Sequence, residues 1–324
     1  MKYRSIYKDR DKTKMKRSKR LFFFIICCVI CLSTGIVRAD SGAEPPAAEQ
    51  NDDGAGVASF LWITDLQDCA YHPGEYAFVA EWCRALAEEK HVSFIMGTGD
   101  YVGKWYSEQQ WEEFGAFLDI MNRTVPGLYI AGNHDYHLLT EDFRPFLERI
   151  YGNDDCSGDE YYKNGRGRYA IVKDGGLSWL VIGMSYSCGD AEREWISDVL
   201  ERYPDYPAIL LFHNYLESNG RFTAPGRRVY DEVIATHQNV RLVLCGHNHS
   251  ARVRTDWPDG PDGRFVQTVM YNFQERQARR GSVQLLEIDV PAQTVHLLCQ
   301  SPIKTRIKPL TKDFALDLSG YSGQ

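Results

Sequence analysis

The sequence from residue 57 onward alternates short apolar runs with amphipathic stretches, and this alternation constrains the fold more than any other feature. The apolar runs predict buried strands at 57–63, 92–97, 128–131, 208–212 and 240–245. Helical spacing of apolar residues predicts helices at 74–90, 107–122, 190–202 and 227–237. Because strands that alternate with helices usually pair in parallel, the chain is predicted to be an α/β protein.

Other strands in the second half favour a mixed rather than a purely parallel sheet. Runs at 168–173 and 177–184 flank the turn Asp174-Gly175-Gly176 and predict an antiparallel pair. Further strands are predicted at 265–272, 281–289 and 294–300. Since no internal repeat or second linker interrupts the pattern, residues 57–324 are interpreted as one domain with either one mixed sheet or two stacked sheets.

The N-terminal segment has the pattern of a secretory signal peptide. Ten basic residues among the first 20 precede an apolar run at 21–32, and Val37-Arg38-Ala39 predicts cleavage after residue 39. Met15 is an alternative start, because a leader from Met1 has an unusually long basic region. An uncleaved signal anchor is the other interpretation, but residues 21–37 would rise only about 25 Å as a helix, against a hydrocarbon core of roughly 30 Å.

Export is therefore predicted, to the periplasm or the outside of the cell, with no stable membrane span once the leader is removed. Residues 40–56 are rich in Pro, Gly, Ala and acidic residues and predict a disordered linker. Six cysteines follow the leader, and Cys156 and Cys188, both in polar segments, are the favoured disulfide pair.

The charge of the chain divides unevenly between leader and domain. Residues 1–39 hold eleven basic and two acidic residues, so of the net −7 the leader carries +9 and the rest −16. An acidic domain repels a polyanion, and nucleic acid is therefore an improbable partner. The oligomeric state does not follow from the sequence.

Potential metal ligands follow the predicted strands. They lie in Thr64-Asp65-Leu66-Gln67, Gly99-Asp100, Gly132-Asn133-His134-Asp135, His213-Asn214 and Gly246-His247-Asn248-His249. The carboxyl ends of strands in α/β sheets are where ligands bind, because the loops there converge. Carboxylates, imidazoles and amide oxygens together suit two metal ions such as Mn, Fe or Zn. No phosphate-binding glycine-rich loop or dinucleotide fingerprint is present.

This ordered set of motifs, over about residues 60–250, resembles the calcineurin-like metallophosphoesterase family. The resemblance implies a four-layer α/β/β/α sandwich with two mixed sheets and a dinuclear metal site. It assigns Asp65, Gln67, Asp100 and His249 to the first metal, and Asp100, Asn133, His213 and His247 to the second. It also implies that His134 is the acid or electrostatic partner of the phosphate and that Asp135 orients its imidazole.

One residue departs from the usual family pattern. Most members have His where this chain has Gln67, although a subset has Gln there. An amide oxygen is a harder and weaker donor than imidazole, so the first metal is expected to bind more loosely or to be a hard ion such as Mn.

The function implied is hydrolysis of small phosphate mono- or diesters by a hydroxide that bridges the two metals. The alternatives are a nuclease of the same fold and a non-catalytic protein with a degenerate first metal site. Substrate contacts are predicted for Tyr101, Trp105, Asn214 and Tyr215. Segment 271–276 is expected either to reach toward the phosphate or to form a solvated hairpin tip, and the insertion 140–167 is a candidate lid.

Overall fold

The computed structural model describes residues 56–152, 156, 158–163, 165–274 and 279–321. The predicted leader, residues 1–39, and all but the last residue of the predicted linker, residues 40–56, lie outside these ranges. None of the helices within the described ranges is both long enough and apolar enough to cross a membrane.

The described residues form strands and helices at most of the predicted positions. The strands are β1 Val57–Ile63, β2 Phe94–Gly97, β3 Gly127–Tyr129, β4 Tyr161–Tyr162, β5 Gly167–Asp174, β6 Leu177–Met184, β7 Ala208–Phe212, β8 Val240–Cys245, β9 Ala251–Asp256, β10 Val266–Tyr271, β11 Val283–Asp289, β12 Thr294–Gln300 and β13 Leu310–Ala315. The helices are α1 Glu75–Glu89, α2 Glu108–Met121, α3 Arg144–Tyr151, α4 Asp190–Arg202 and α5 Ala224–Val229. A 3-10 helix spans Gln67–Tyr71, and a π-helical turn spans Tyr230–Ile234.

Two mixed sheets are formed, as the family resemblance implied. The first has the order β13-β12-β11-β1-β2-β3 and the second the order β4-β5-β6-β7-β8-β10-β9. In the first sheet β1, β2 and β3 are parallel, and in the second β6, β7, β8 and β10 are parallel. The predicted turn at 174–176 joins the antiparallel strands β5 and β6, in which Asp174 pairs with Leu177.

The strands are apolar on both sides because each sheet is covered on both faces. Successive residues of β1 alternate between layers: Leu61 faces the helices α1, α2 and α3, whereas Phe60 and Trp62 face the second sheet. The outer face of the second sheet packs against α4 and α5, with Ile196 and Val229 fully buried. The predicted four-layer α/β/β/α sandwich is therefore confirmed.

The helix α3, which lies within the insertion at 140–167, packs into the core and does not form part of a lid. Phe146 of α3 is fully buried and lies within 6.3 Å of the Tyr101 and Trp111 rings, measured between centroids. Leu147 and Ile150 are buried on the same face of this helix. The polar surroundings of α3 hid its apolar spacing, so the sequence suggested a loop.

The helix predicted at 227–237 is displaced toward the N-terminus in the structure, where it spans Ala224–Val229. Thr223 is its N-cap, since its hydroxyl accepts a hydrogen bond from the Gly226 N–H at 3.1 Å. Pro225 then occupies the first turn, where its missing N–H costs nothing. The helical spacing after residue 229 belongs to the π-helical turn.

The favoured disulfide pair does not form. Cys156 packs against the helix-side layer of the first sheet, whereas Cys188 packs against the outer layer of the second sheet. Cys188 is a free thiol, and burial raises its pKa to about 12. The polar sequence around these cysteines did not reveal that they belong to different layers.

The burial of α3 predicts how the insertion contributes to stability. Phe146→Ala is expected to lower the free energy of unfolding by about 3–5 kcal/mol, because it removes a fully buried ring. Leu139→Ala, immediately before the insertion, is the control, since this side chain is 91% exposed, and its effect is expected to stay within about 0.5 kcal/mol. Urea denaturation measures both, and equal small effects would restore the lid interpretation.

Candidate metal centre

The candidate site lies where the carboxyl ends of parallel strands from both sheets meet. Asp65, Asp100 and Asn133 follow the first-sheet strands β1, β2 and β3, and His213 and His247 follow β7 and β8 of the second sheet. Backbone hydrogen bonds hold the loops together: Asp65 N–H donates to the Gly99 carbonyl at 3.0 Å. The site thus bridges the two sheets at the top of the sandwich.

Asp100, His213 and His247 form the centre of the site, with ligand atoms that all lie within 4.8 Å of one another. His213 Nε2 is 3.3 Å from Asp100 Oδ2 and 3.2 Å from His247 Nδ1. Asn133 Oδ1 lies 3.1 Å from the same His213 nitrogen. The four residues that the family resemblance assigned to the second metal are therefore brought together.

Gln67 and Asp65 extend this cluster toward the first metal position. Gln67 is 1% exposed, and its Nε2 donates to Asp100 Oδ2 at 3.1 Å. Its Oε1 is buried and has no hydrogen-bond partner among the described residues. Because a buried acceptor without a partner is costly, this oxygen fits a cation beside Asp100. The donor set present here therefore suits a metal centre.

His249 stands apart from the converging group. Its side chain is exposed, and its Nε2 lies 3.2 Å from Gln274 Oε1. It does not belong to the group of three whose ligand atoms converge. The structure therefore places this predicted first-metal ligand at the rim of the site, next to a residue of the 271–274 segment.

Three of the ligand residues have backbones in the left-handed region, with φ of 51° at Asp65, 58° at Asp100 and 64° at His247. Each such conformation costs on the order of 1 kcal/mol and persists only where surrounding contacts enforce it. Glycine is needed beside them: a Cβ on Gly246 would overlap the carboxylate of Asp65 and the hydroxyl of Thr64. Backbone strain is therefore found at the residues whose side chains converge on the candidate site.

A hydrogen bond orients the His213 imidazole, and its surroundings keep the His247 imidazole neutral. His213 Nδ1 lies 2.7 Å from the Thr98 carbonyl, so it donates its hydrogen there and leaves Nε2 pointing at Asp100. Burial and then the nearby His213 lower the pKa of His247 to about 4, which keeps that ring neutral. A neutral imidazole has the lone pair that coordination requires.

The buried carboxylates of the site need nearby positive charge to stabilise their charged form. Burial raises the pKa of Asp65 to about 7, and the nearby Asp100 adds to this shift. Burial also lowers the pKa of His213, but the Asp100 carboxylate outweighs it and raises that pKa to about 9. Two buried carboxylates that interact electrostatically favour a cation beside them, since a cation compensates for the lost hydration.

Asp135 does not orient the His134 imidazole, so that part of the sequence interpretation is wrong. Its carboxylate accepts hydrogen bonds from the backbone N–H groups of Asp100 and Tyr101, both at 2.7 Å, and of Gly132 at 2.8 Å. A fourth donor, Val102, lies at 3.2 Å. Asp135 thus fixes the loops that carry the metal ligands.

A backbone carbonyl orients His134 instead. His134 Nδ1 lies 3.0 Å from the Gly103 oxygen, and the His134 backbone N–H donates to Asp100 Oδ1 at 2.9 Å. With Nδ1 as the donor, Nε2 is the atom left to act outside the cluster. His134 therefore lies directly beside the metal ligands, half-buried and next to the loop that follows β2.

Two of the predicted substrate contacts are wrong because their rings are in the core. Tyr101 is fully buried, stacks on Phe114 at 4.7 Å, and accepts a hydrogen bond from Gly99 N–H. Tyr215 is 1% exposed and stacks on Phe212 at 5.7 Å. The polar hydroxyls of these rings did not reveal that their positions face inward.

The other two predicted contacts keep some access to solvent. Asn214 is half-buried beside His213. Trp105 is half-buried, and its ring meets His137 edge to face at 4.9 Å between centroids. Of the predicted aromatic contacts, Trp105 alone keeps an exposed part.

Tyr186 escaped the sequence interpretation, and Asn272 was considered only as part of segment 271–276. The Tyr186 ring lies 5.9 Å from His213 and 5.6 Å from His247, measured between centroids. Asn272 Nδ2 donates to Asp65 Oδ1 at 2.7 Å and to the His247 carbonyl at 2.8 Å. Both residues follow strands with parallel neighbours, β6 and β10, so the strand-end rule that found the ligands could have found them too.

The arginines after segment 271–276 have other partners. Arg280 makes a two-point ion pair with Glu75, with distances of 2.5 and 2.8 Å. Arg279 lies over the Phe273 ring at 5.5 Å. Asn272 reaches the site, but it holds a carboxylate ligand of the metal centre rather than a phosphate.

Known proteins share parts of this sequence. The uncharacterized protein YvnB of Bacillus subtilis strain 168 is 28% identical over 272 residues, which cover 80% of this chain and 20% of that protein. A probable cyclic nucleotide phosphodiesterase of Psychrobacter arcticus is 22% identical over 218 residues, which cover 61% of this chain and 76% of that protein. The chain thus spans about a fifth of the length of the Bacillus relative.

Solved structures share the fold. A dimetal phosphatase from Danio rerio matches with a TM-score of 0.54 and 13% identity, over 78% of this chain and 98% of that one. A purple acid phosphatase from yellow lupin seeds matches with a TM-score of 0.55 and 13% identity, over 83% of this chain and 55% of that one.

The family model of the calcineurin-like phosphoesterases matches residues 58–251, which is more than half of the chain. This range contains both sheets' contributions to the metal centre, from Asp65 to His249. The chain belongs to the calcineurin-like phosphoesterase family.

Proposed function

We propose that this protein is an exported, metal-dependent phosphoesterase that hydrolyses small phosphate mono- or diesters. The observation that carries the proposal is the convergence of Asp100, His213 and His247 within 4.8 Å, next to the unpartnered oxygen of Gln67. Export is supported by the leader pattern of the sequence. The name of the Psychrobacter relative supports the inclusion of diesters among the substrates.

Two ions, Mn, Fe or Zn, are proposed for this donor set. Asp65 and Gln67 would hold one ion, Asn133, His213 and His247 would hold the other, and Asp100 would contribute to both. When bound, such ions acidify water and neutralise the charge of the phosphoryl oxygens. The oxygen donor of Gln67 favours a hard ion such as Mn at the first position.

His134 is proposed to assist the departure of the alcohol. Its Nδ1 is occupied by the Gly103 carbonyl at 3.0 Å, so a protonated ring offers the Nε2 hydrogen to the oxygen that leaves phosphorus. Asp135 contributes by accepting four backbone N–H hydrogen bonds, which hold the loop that carries Asp100 in position. Substrate binding, metal binding and proton donation are thus assigned to different residues.

The alternative functions are less well supported. A nuclease would have to bind a polyanion with a chain whose residues 40–324 carry a formal charge of −16, which long-range repulsion opposes. A degenerate first metal site is opposed by the buried Gln67 oxygen, which keeps a donor available where the usual imidazole is replaced.

The proposal is tested by metal loading and by the bridging residue. The purified protein, loaded with Mn, Zn or Fe, is expected to hydrolyse aryl phosphate mono- or diesters, and Asp100→Asn is expected to lower kcat/KM by more than about 100-fold. Calorimetry should show that the same variant loses metal affinity. Asp119→Asn, an exposed carboxylate on α2, is the control and should change neither quantity. Absence of turnover with every metal would refute the enzyme function.

The separate roles of His134 and Asp135 give a second prediction. His134→Ala is expected to lower kcat by about 100- to 10,000-fold with metal affinity unchanged. Asp135→Asn keeps the shape but loses acceptor capacity, so metal affinity should fall by about 10- to 100-fold while excess metal restores most of kcat. A kcat loss in Asp135→Asn that excess metal does not restore would show that Asp135 acts through His134 after all.

A further inference from the structure

Exposed apolar side chains collect on the loops beside His134. Together with the half-buried Trp105 we call them the apolar rim: Tyr71, Trp105, Tyr106, Leu138 and Leu139. Tyr106 is 64% exposed and Leu139 is 91% exposed, which is unusual for side chains of this size. A group of exposed apolar residues on one face of a protein commonly marks a binding surface.

The loop that carries Trp105 and Tyr106 contacts the His134 imidazole. The carbonyl of Gly103, two residues before Trp105, lies 3.0 Å from His134 Nδ1. The Tyr71 hydroxyl packs so closely on Gly103 that a Cβ there would overlap it. On the other side, Trp105 meets His137, three residues after His134, at 4.9 Å between ring centroids. The rim is thus continuous with the phosphate end of the site.

The rim is held in place by groups that are themselves fixed. Trp111 Nε1 donates to the Trp105 carbonyl at 2.8 Å, and Gln110 Oε1 accepts from Lys104 N–H at 2.8 Å. His137 Nδ1 lies 3.1 Å from the Thr140 hydroxyl and so closes the turn that carries Leu138 and Leu139. A surface ordered in advance binds with a smaller entropic cost.

Folding does not account for the exposure of these side chains. The neighbouring core is completed without them, since Tyr136 is buried and stacks on Phe143 at 4.0 Å just before the chain turns outward. Phe146 belongs to the same buried cluster as these two rings. The exposed part of Leu138 and Leu139 therefore gains contact only when something binds next to His134.

We propose that the apolar rim binds the hydrocarbon part of the substrate, so that the enzyme prefers phosphate esters of alkyl or aryl alcohols to those of small polar ones. The inference rests on the proposed phosphoesterase function and narrows its substrate class. The phosphate would lie at the metal centre, the leaving oxygen beside His134 and the hydrocarbon along the rim.

Hydrolysis of n-alkyl phosphates from methyl to octyl tests the rim, because apolar area grows along the series while the leaving alcohol changes little. KM is expected to fall by about two- to fourfold per methylene that reaches the rim, with kcat nearly constant. In the double variant Leu138→Ser, Leu139→Ser the ratio of kcat/KM for octyl over methyl phosphate should fall about tenfold. Phe78→Ser, which alters an exposed apolar residue on α1, should leave that ratio unchanged.

Binding of octylphosphonate, which is not hydrolysed, gives a readout that does not depend on turnover. Calorimetry with metal-loaded protein should show at least tenfold tighter binding than for methylphosphonate, and the double variant should lose this preference. A KM that is flat along the series, with equal phosphonate affinities, would overturn the rim proposal and leave the phosphoesterase function standing. No hydrolysis of any ester, with phosphonate selectivity intact, would instead refute the phosphoesterase function. A change of oligomeric state in the double variant would show that a second copy covers the rim.

Discussion

The carboxylate of Asp135 is the contact on which the metal centre depends most directly. It accepts backbone N–H groups from the loop after β2 and from the loop after β3, so one buried side chain joins both loops. Burial raises its pKa to about 8, although the hydrogen bonds favour its charged form. Since Asp100 is the shared centre of the cluster, its position follows from a residue that touches no proposed reacting atom.

The loops that carry the candidate ligands have strained backbones, and the side chains on them converge on one point. Left-handed backbones at Asp65, Asp100 and His247 turn three side chains inward from three different strands. Strain of this kind persists only where rigid surroundings enforce it, and here both sheets and Asn272 supply them. The site is therefore rigid at its metal end, while the exposed rim beyond His134 is the part left available for specificity.

Much of the fold and of the metal centre could be predicted, because strands buried on both faces appear as uninterrupted apolar runs. Strands 57–63, 208–212 and 240–245 begin and end where the sequence placed them. The role of Asp135 could not be predicted, since it depends on backbone groups more than 30 residues away in the chain. Tyr101 illustrates the same limit, because its neighbours Phe114 and Phe146 belong to other elements.

The sequence by itself determined the strand order along the chain, the polar residues at the strand ends and the kind of metal chemistry they support. These properties are local, since hydrophobic period and residue type are readable within a few positions. The tertiary structure decided which polar residues converge: it gathered Asp100, His213 and His247, left His249 exposed, and added Tyr186 and Asn272. Convergence depends on how two sheets stack and where strained loops turn, and those long-range contacts have no signature in the order of residues.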